Sequence, residues 1–108
     1  MRIFVCSPLR GDVAANIAVA EELCRRLALR GHTPIAPHVY CTRFLRENDA
    51  VERELGIDIG LDLLRCCEEL WFHIGHDRVV TACMSLEIAE AKRLGIPVRA
   101  FDLDAPRG

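Results

Sequence analysis

Apolar residues recur along this chain in two alternating rhythms. Short runs at Ile3-Phe4-Val5-Cys6, Thr33-Pro34-Ile35-Ala36, Glu69-Leu70-Trp71-Phe72-His73-Ile74 and Ile96-Pro97-Val98-Arg99-Ala100-Phe101 predict strands. The first is apolar throughout, as a strand buried on both faces requires, whereas Pro34 and Pro37 bracket the second and predict an edge position. Between these runs the spacing lengthens to three and four. Val13, Ile17, Ala20, Leu23, Cys24 and Leu27 predict a helix over 13–30, capped by Asp12 and closed by Gly31. Val51, Leu55, Ile59, Leu63 and Cys66 or Cys67 predict a second helix from about Asp49 to Cys67. Ala82, Leu86, Ala89 and Leu94 predict a third from Val80 or Thr81 to Leu94, ended by Gly95. The segment from His38 to about Asn48 has no period and reads as a long connection with polar and aromatic groups. Alternating strands and helices predict an α/β fold with an open parallel sheet and right-handed crossovers, whose ligands bind beyond the carboxyl ends of the strands.

Composition narrows the classes. The 108 residues suit one domain, 1–108, and 51% hydrophobic with 28% charged residues is ordinary for a globular chain. A formal charge of −2 gives no positive field for nucleic acid, so no nucleic-acid partner is expected. No run approaches a membrane span and no signal-peptide pattern precedes the first strand, which predicts a cytoplasmic protein without membrane attachment. None of the six cysteines is spaced as C-x-x-C or set against histidine at zinc-finger separation, so neither a structural metal nor a disulfide framework is expected. Most read as small hydrophobes, with Cys66-Cys67 as core packing at a helix end; Cys6, at the mouth of the first strand, is the thiol closest to the expected ligand rim.

The rule that ligands bind at strand ends gathers the residues with chemistry. Cys6-Ser7-Pro8-Leu9-Arg10-Gly11-Asp12 leads from a strand into a helix, where free backbone N–H groups and the helix dipole favour an anion and Arg10 offers a guanidinium fork. Such residues also make ordinary turns. His38 follows the second strand, His73 to Arg78 follow the third, and Thr81 to Glu87 open the last helix. Glu90 suits a solvent-facing position, but Glu87 stands among Ala82, Leu86, Ile88 and Ala89. A carboxylate in such surroundings can serve as nucleophile or base, or simply lie on the helix surface. Gly56 and Gly60 inside the second helix predict a close approach, by a ligand or by tight packing on the sheet.

The constellation resembles the nucleoside 2-deoxyribosyltransferase superfamily, within it the small 2′-deoxynucleoside 5′-monophosphate N-glycosidases, and more closely an uncharacterised group of short bacterial and phage proteins of the same fold. Phe4-Val5-Cys6-Ser7-Pro8-Leu9-Arg10-Gly11-Asp12 is similar to that family's Y-F-C-G-S-I-R-G-G, and residues Thr81 to Ala91 more weakly echo its S-x-G-x-x-Y-E-L-G-x-A. The resemblance implies a Rossmann-like, flavodoxin-like sheet of about four strands in order 2-1-3-4 with helices on both faces. It implies Glu87 as nucleophile at the anomeric carbon, Ser7, Arg10 and Gly11 at the 5′-phosphate, His38 at the site, and a hydroxyl from Thr81 or Ser85. No cofactor and no metal are expected, and the resemblance implies a homodimer or higher homo-oligomer. The chain departs from the family where Gly60 aligns with an aspartate that assists at the base, with Asp58 and Asp62 about 200° round the helix on either side. Phe4 and Leu86 replace two tyrosines.

The sequence therefore predicts a protein that binds a small-molecule nucleotide and cleaves or transfers at the N-glycosidic bond of a (deoxy)nucleoside 5′-monophosphate. The alternative is a module that binds a nucleotide or an ADP-ribose-like ligand without chemistry, which the glycine at position 60 favours.

Overall fold

A computed structural model describes residues 1–9, 12–73 and 80–101. The expected anion-loop residues Arg10 and Gly11, the turn Gly75 to Arg78 and the tail from Asp102 lie outside the described residues.

Strand β1 (Arg2–Cys6) is where the two layers of the fold meet. Ile3, Phe4, Val5 and Cys6 are all buried, and because successive side chains of a strand point to opposite faces they divide between two cores. Ile3 and Val5 pack with Leu23 and Leu27 of helix α1 (Val13–Leu29). Phe4 and Cys6 pack on the other face with Leu64 from helix α3 (Ala50–Leu64), Leu70 from strand β3 (Glu69–His73), and Met84 and Ala91 from helix α4 (Ala82–Arg93). Strands β2 (Thr33–Ile35) and β4 (Val98–Phe101) complete a four-stranded sheet of order β2-β1-β3-β4, with every pairing parallel. This is the expected open α/β sheet of order 2-1-3-4, with β2 at an edge as its proline requires.

The helix ends follow local chemistry. The Asp12 carboxylate accepts from Ala15 N at 3.1 Å, Asp49 accepts from Val51 N and Glu52 N at 2.9 and 3.2 Å, and the Thr81 hydroxyl accepts from Met84 N at 3.2 Å. Gly31 and Gly95 follow helices α1 and α4 with φ of 85° and 75°, a region that favours glycine.

Four expectations need correction. Residues Pro37–Cys41 form a short helix, α2, so His38 sits on a helix where a loop was expected. Pro37 starts it because its fixed φ suits a first helical turn, where the missing N–H has no partner to lose. Helix α3 ends at Leu64, since the N–H groups of Cys66 and Cys67 turn back to the carbonyls of Leu63 and Leu64; only Cys67 of that pair is buried. Strand β4 begins at Val98, because Pro97 has no N–H for the ladder and contributes only its carbonyl, which accepts from Leu70 N at 2.9 Å.

The fourth correction bears on function: α3 and α4 are both rotated from the faces their apolar spacing predicts. Val51, Leu55 and Leu86 are exposed, while α3 buries Gly60 and Leu64 and α4 buries Met84, Glu87 and Ala91. Small side chains let the helices approach closely, and the face that packs is the one carrying a glycine and a glutamate.

Leu70, wholly buried in β3, tests this core. Leu70→Ala is expected to lower the unfolding free energy by about 2–5 kcal/mol, read from urea midpoints at constant m, whereas Leu29→Ala on an exposed position should stay within about 0.5 kcal/mol.

Candidate functional site

The inward turn of α4 carries Glu87 under the carboxyl end of β1. The residue is 3% exposed, and its Oε1 has no hydrogen-bond partner among the described residues. Burial pushes its carboxyl up to about 7, with the neighbouring Cys6 thiol pulling weakly the other way. The fold's other buried glutamate shows what a structural solution looks like. Glu69 accepts from Trp71 Nε1 at 2.8 Å and pairs with Arg99 Nε at 2.9 Å. Glu87 has no such arrangement on Oε1, and an unsatisfied buried oxygen costs about 1–3 kcal/mol or more.

Gly60 makes the space. A Cβ built there would lie 3.5 Å from Glu87 Oε2 and 3.7 Å from Cγ of Pro37. The close approach expected at this glycine is thus made by two side chains from α4 and α2, and not by the sheet. Gly56, one turn earlier, faces Leu45 at 3.6 Å.

His38 and Cys83 gather round the carboxylate. One side-chain donor atom from each of His38, Cys83 and Glu87 lies within 4.8 Å of the others. Burial lowers the His38 pKa while a hydrogen bond to the Ser7 backbone works against that, so the imidazole is neutral at physiological pH. Cys83 is pushed up to about 12, first by burial and then by Glu87 and Glu47, and burial together with Glu87 also raises Cys6. The Cys6 Sγ lies 3.8 Å from the Met84 carbonyl. All of these effects hold the thiols protonated and oppose a nucleophilic role for Cys6.

Beyond this cluster opens a cavity of about 270 Å³, floored by Pro37, His38 and Cys41 of α2, walled by Gly56 and Ile57 of α3, and closed by Thr81, Cys83 and Leu86. Leu9, Leu45, Arg46, Glu47, Glu52 and Arg53 also border it. Glu87 itself stands one layer behind the wall made by His38 and Cys83.

The structure thus brings together His38 from α2 and Thr81 and Glu87 from the cap and body of α4. Ser7 is beside them, 1% exposed, with its hydroxyl unpartnered among the described residues. Ser85 is exposed on α4 and does not border the cavity. The Thr81 hydroxyl is used as a helix cap. His73 is a core residue: its Nδ1 donates to the Phe101 carbonyl at 3.1 Å. Asp58 and Asp62 are exposed, so neither stands in for a carboxylate at position 60. Sequence reasoning missed Cys83 and Ile57, although it marked Gly56 of the same wall as a place of close approach. The only signal for Cys83 was its place four residues before Glu87, one helical turn away.

Comparisons with known proteins bear on the fold. The profile of a domain family described as a domain of unknown function (DUF7768) matches residues 1–101. A search of curated proteins finds no match. Among solved structures, the 2-deoxyribosyltransferase of the psychrotolerant bacterium Bacillus psychrosaccharolyticus is similar with a TM-score of 0.70 and 20% identity, over 100% of this chain and 77% of that one. A 2-deoxyribosyltransferase from Leishmania mexicana is similar with a TM-score of 0.68 and 15% identity, over 95% of this chain and 65% of that one. The fold is that of the 2-deoxyribosyltransferases.

Two predictions follow from the buried carboxylate and its glycine. A carboxyl raised from 4.5 to about 7 favours the folded state while protonated, a contribution that is full below about pH 4.5 and lost as pH rises through 7. In the presence of a chelator, the melting temperature of the native protein should therefore fall between pH 5 and 8 relative to Glu87→Gln, the difference approaching on the order of 3 kcal/mol. His38, with its lowered pKa, acts in the opposite sense below its ordinary value and is common to both proteins. At Gly60 the nearest atoms leave ordinary van der Waals room for a methyl group, so Gly60→Ala is expected to raise stability by about 0.5–1 kcal/mol in urea unfolding.

Proposed function

Because the chain belongs to the family of domains of unknown function (DUF7768) and has a deoxyribosyltransferase fold, we propose that it binds a (deoxy)nucleoside 5′-monophosphate and acts at the N-glycosidic bond through Glu87. The observation that carries this reading is the buried carboxylate with an oxygen unpartnered among the described residues, one layer behind a cavity. A group kept out of water and unsatisfied at a cost in stability is the signature of a site prepared for chemistry. With its pKa pushed up to about 7, the carboxyl changes protonation state near neutral pH.

In the step proposed, a Glu87 oxygen bonds to the anomeric carbon while the bond from that carbon to the base nitrogen breaks. The electron pair leaves with the base, which takes up a proton. Water or a second base then displaces the carboxylate, as in a double-displacement glycosidase. Asp58 and Asp62 of α3 are exposed, so the group beside the carboxylate that would steer that proton is His38, hydrogen-bonded to the Ser7 backbone. Arg10 and Gly11 are proposed to hold the 5′-phosphate, with Ser7 beside them. The chain is proposed to assemble as a homo-oligomer of this single domain.

The second reading is a module that binds a nucleotide or an ADP-ribose-like ligand without turnover. It is favoured by the 3% exposure of Glu87 behind His38 and Cys83 and by Gly60 in place of an acid.

One experiment separates them. The protein is incubated with a panel of nucleoside 5′-monophosphates and free base is followed by chromatography, with Glu87→Ala and Arg10→Ala alongside. Base release that falls by at least about 10²-fold in Glu87→Ala establishes the enzyme. Absence of release together with a nucleotide-dependent rise in melting temperature, removed by Arg10→Ala, establishes the binder; absence of both refutes the nucleotide reading.

A further inference from the structure

His38, Cys83 and Glu87 place an imidazole nitrogen, a thiol sulfur and a carboxylate oxygen within 4.8 Å of one another, at the inner wall of the cavity. We infer that these three side chains form a binding site for one Zn²⁺ ion, with the fourth coordination position open to the cavity. The inference goes beyond glycosyl transfer and does not depend on it.

The donor set suits the ion. Zinc is borderline-soft and takes nitrogen, sulfur and oxygen together, and three protein ligands with one open position is the arrangement of its reactive sites. Binding displaces the proton of the Cys83 thiol, and any proton on Glu87, to solvent; the thiolate, the carboxylate and a neutral imidazole then carry two negative charges against two positive ones, leaving no net charge in a buried place.

The scaffold holds the donors in three ways. Cys83 and Glu87 are one turn apart on α4 and therefore project from one face of a rigid element. The His38 ring is hydrogen-bonded to the Ser7 backbone, which fixes one ring nitrogen as a donor and leaves the other with its lone pair free, the usual support for a ligating histidine. Glu87 Oε1 is buried with no partner among the described residues, an oxygen already out of contact with bulk water. In a closed tetrahedral site donors stand about 3.3–3.8 Å apart, from zinc–ligand distances of about 2.0–2.3 Å. The observed separations, up to 4.8 Å, exceed that spacing by about 1 Å at most.

Spacing rules missed this site because its ligands come from α2 and α4, on opposite sides of the sequence's midpoint. An ion on Glu87 and a sugar on Glu87 exclude one another, so zinc and glycosyl chemistry would be alternative occupants of one carboxylate.

The test uses the metal alone, with no nucleotide present, so its failure leaves the glycosyl reading standing and the reverse. Zn²⁺ is titrated into the full chain against a chromophoric chelator, and Co²⁺ serves as the spectroscopic probe. One equivalent is expected to bind, and the cobalt form should show a thiolate charge-transfer band in the near ultraviolet with strong visible bands of a four-coordinate ion. His38→Gln, Glu87→Gln and Cys83→Ser should each weaken Zn²⁺ by at least about tenfold, and Cys83→Ser should remove the charge-transfer band. Cys66→Ser, at an exposed thiol, should change neither. A native protein that binds no stoichiometric Zn²⁺ or gives no charge-transfer band overturns the site however the variants fold. Binding that survives Cys83→Ser and vanishes in Cys66→Ser assigns the metal to a surface thiol and overturns it equally.

Discussion

A single desolvated carboxylate constrains this molecule. Removing the Glu87 side chain from water raises its pKa to about 7, and the fold meets that cost by surrounding it with protonated or neutral groups: two thiols, an imidazole and a glycine that has no side chain to contribute. Among the described residues no cation compensates it as Arg99 does Glu69. The energy of burial is therefore held at one atom and is available to anything that can satisfy that atom, whether an electrophilic carbon or a metal ion.

The helices on that side of the sheet are placed to permit this. Facing Gly60 and Glu87 inward requires α3 and α4 to turn their more apolar stripes outward, which leaves Val51, Leu55 and Leu86 exposed. In compensation Leu64, Met84 and Ala91 pack on Phe4 and Leu70, and the core closes around a polar centre. On the opposite face nothing of the kind occurs. Helix α1 lays Leu23 and Leu27 on Ile3 and Val5 with the periodicity its sequence displays.

That contrast explains how far the chain could be read from sequence. The strands, the caps at Asp12 and Asp49, the glycine closures and the sheet order follow from local chemistry and from the alternation of two periods, and they were legible. Faces of helices were legible only where burial and hydrophobicity agree, as in α1. In α3 and α4 a glycine and a glutamate occupy the buried stripe, and a reading that equates apolar with inside selects the wrong face. Glu87 was visible as an acid in unsuitable company; its neighbour Cys83 was not, because a thiol among alanines looks like packing. Helix α2 was hidden by its length and by a proline that serves equally to end a strand or begin a helix.

The site also joins distant parts of the chain. Cys6 meets the Met84 carbonyl across a separation of 78 residues, and His38 arrives from between them. No contiguous fragment shorter than most of the domain contains it. During synthesis β1, β2 and β3 can pair before α4 has emerged, and through that interval the nascent sheet has neither Cys83 nor Glu87 beside it. The cluster of His38, Cys83 and Glu87 is therefore assembled only when α4 docks on a sheet already begun.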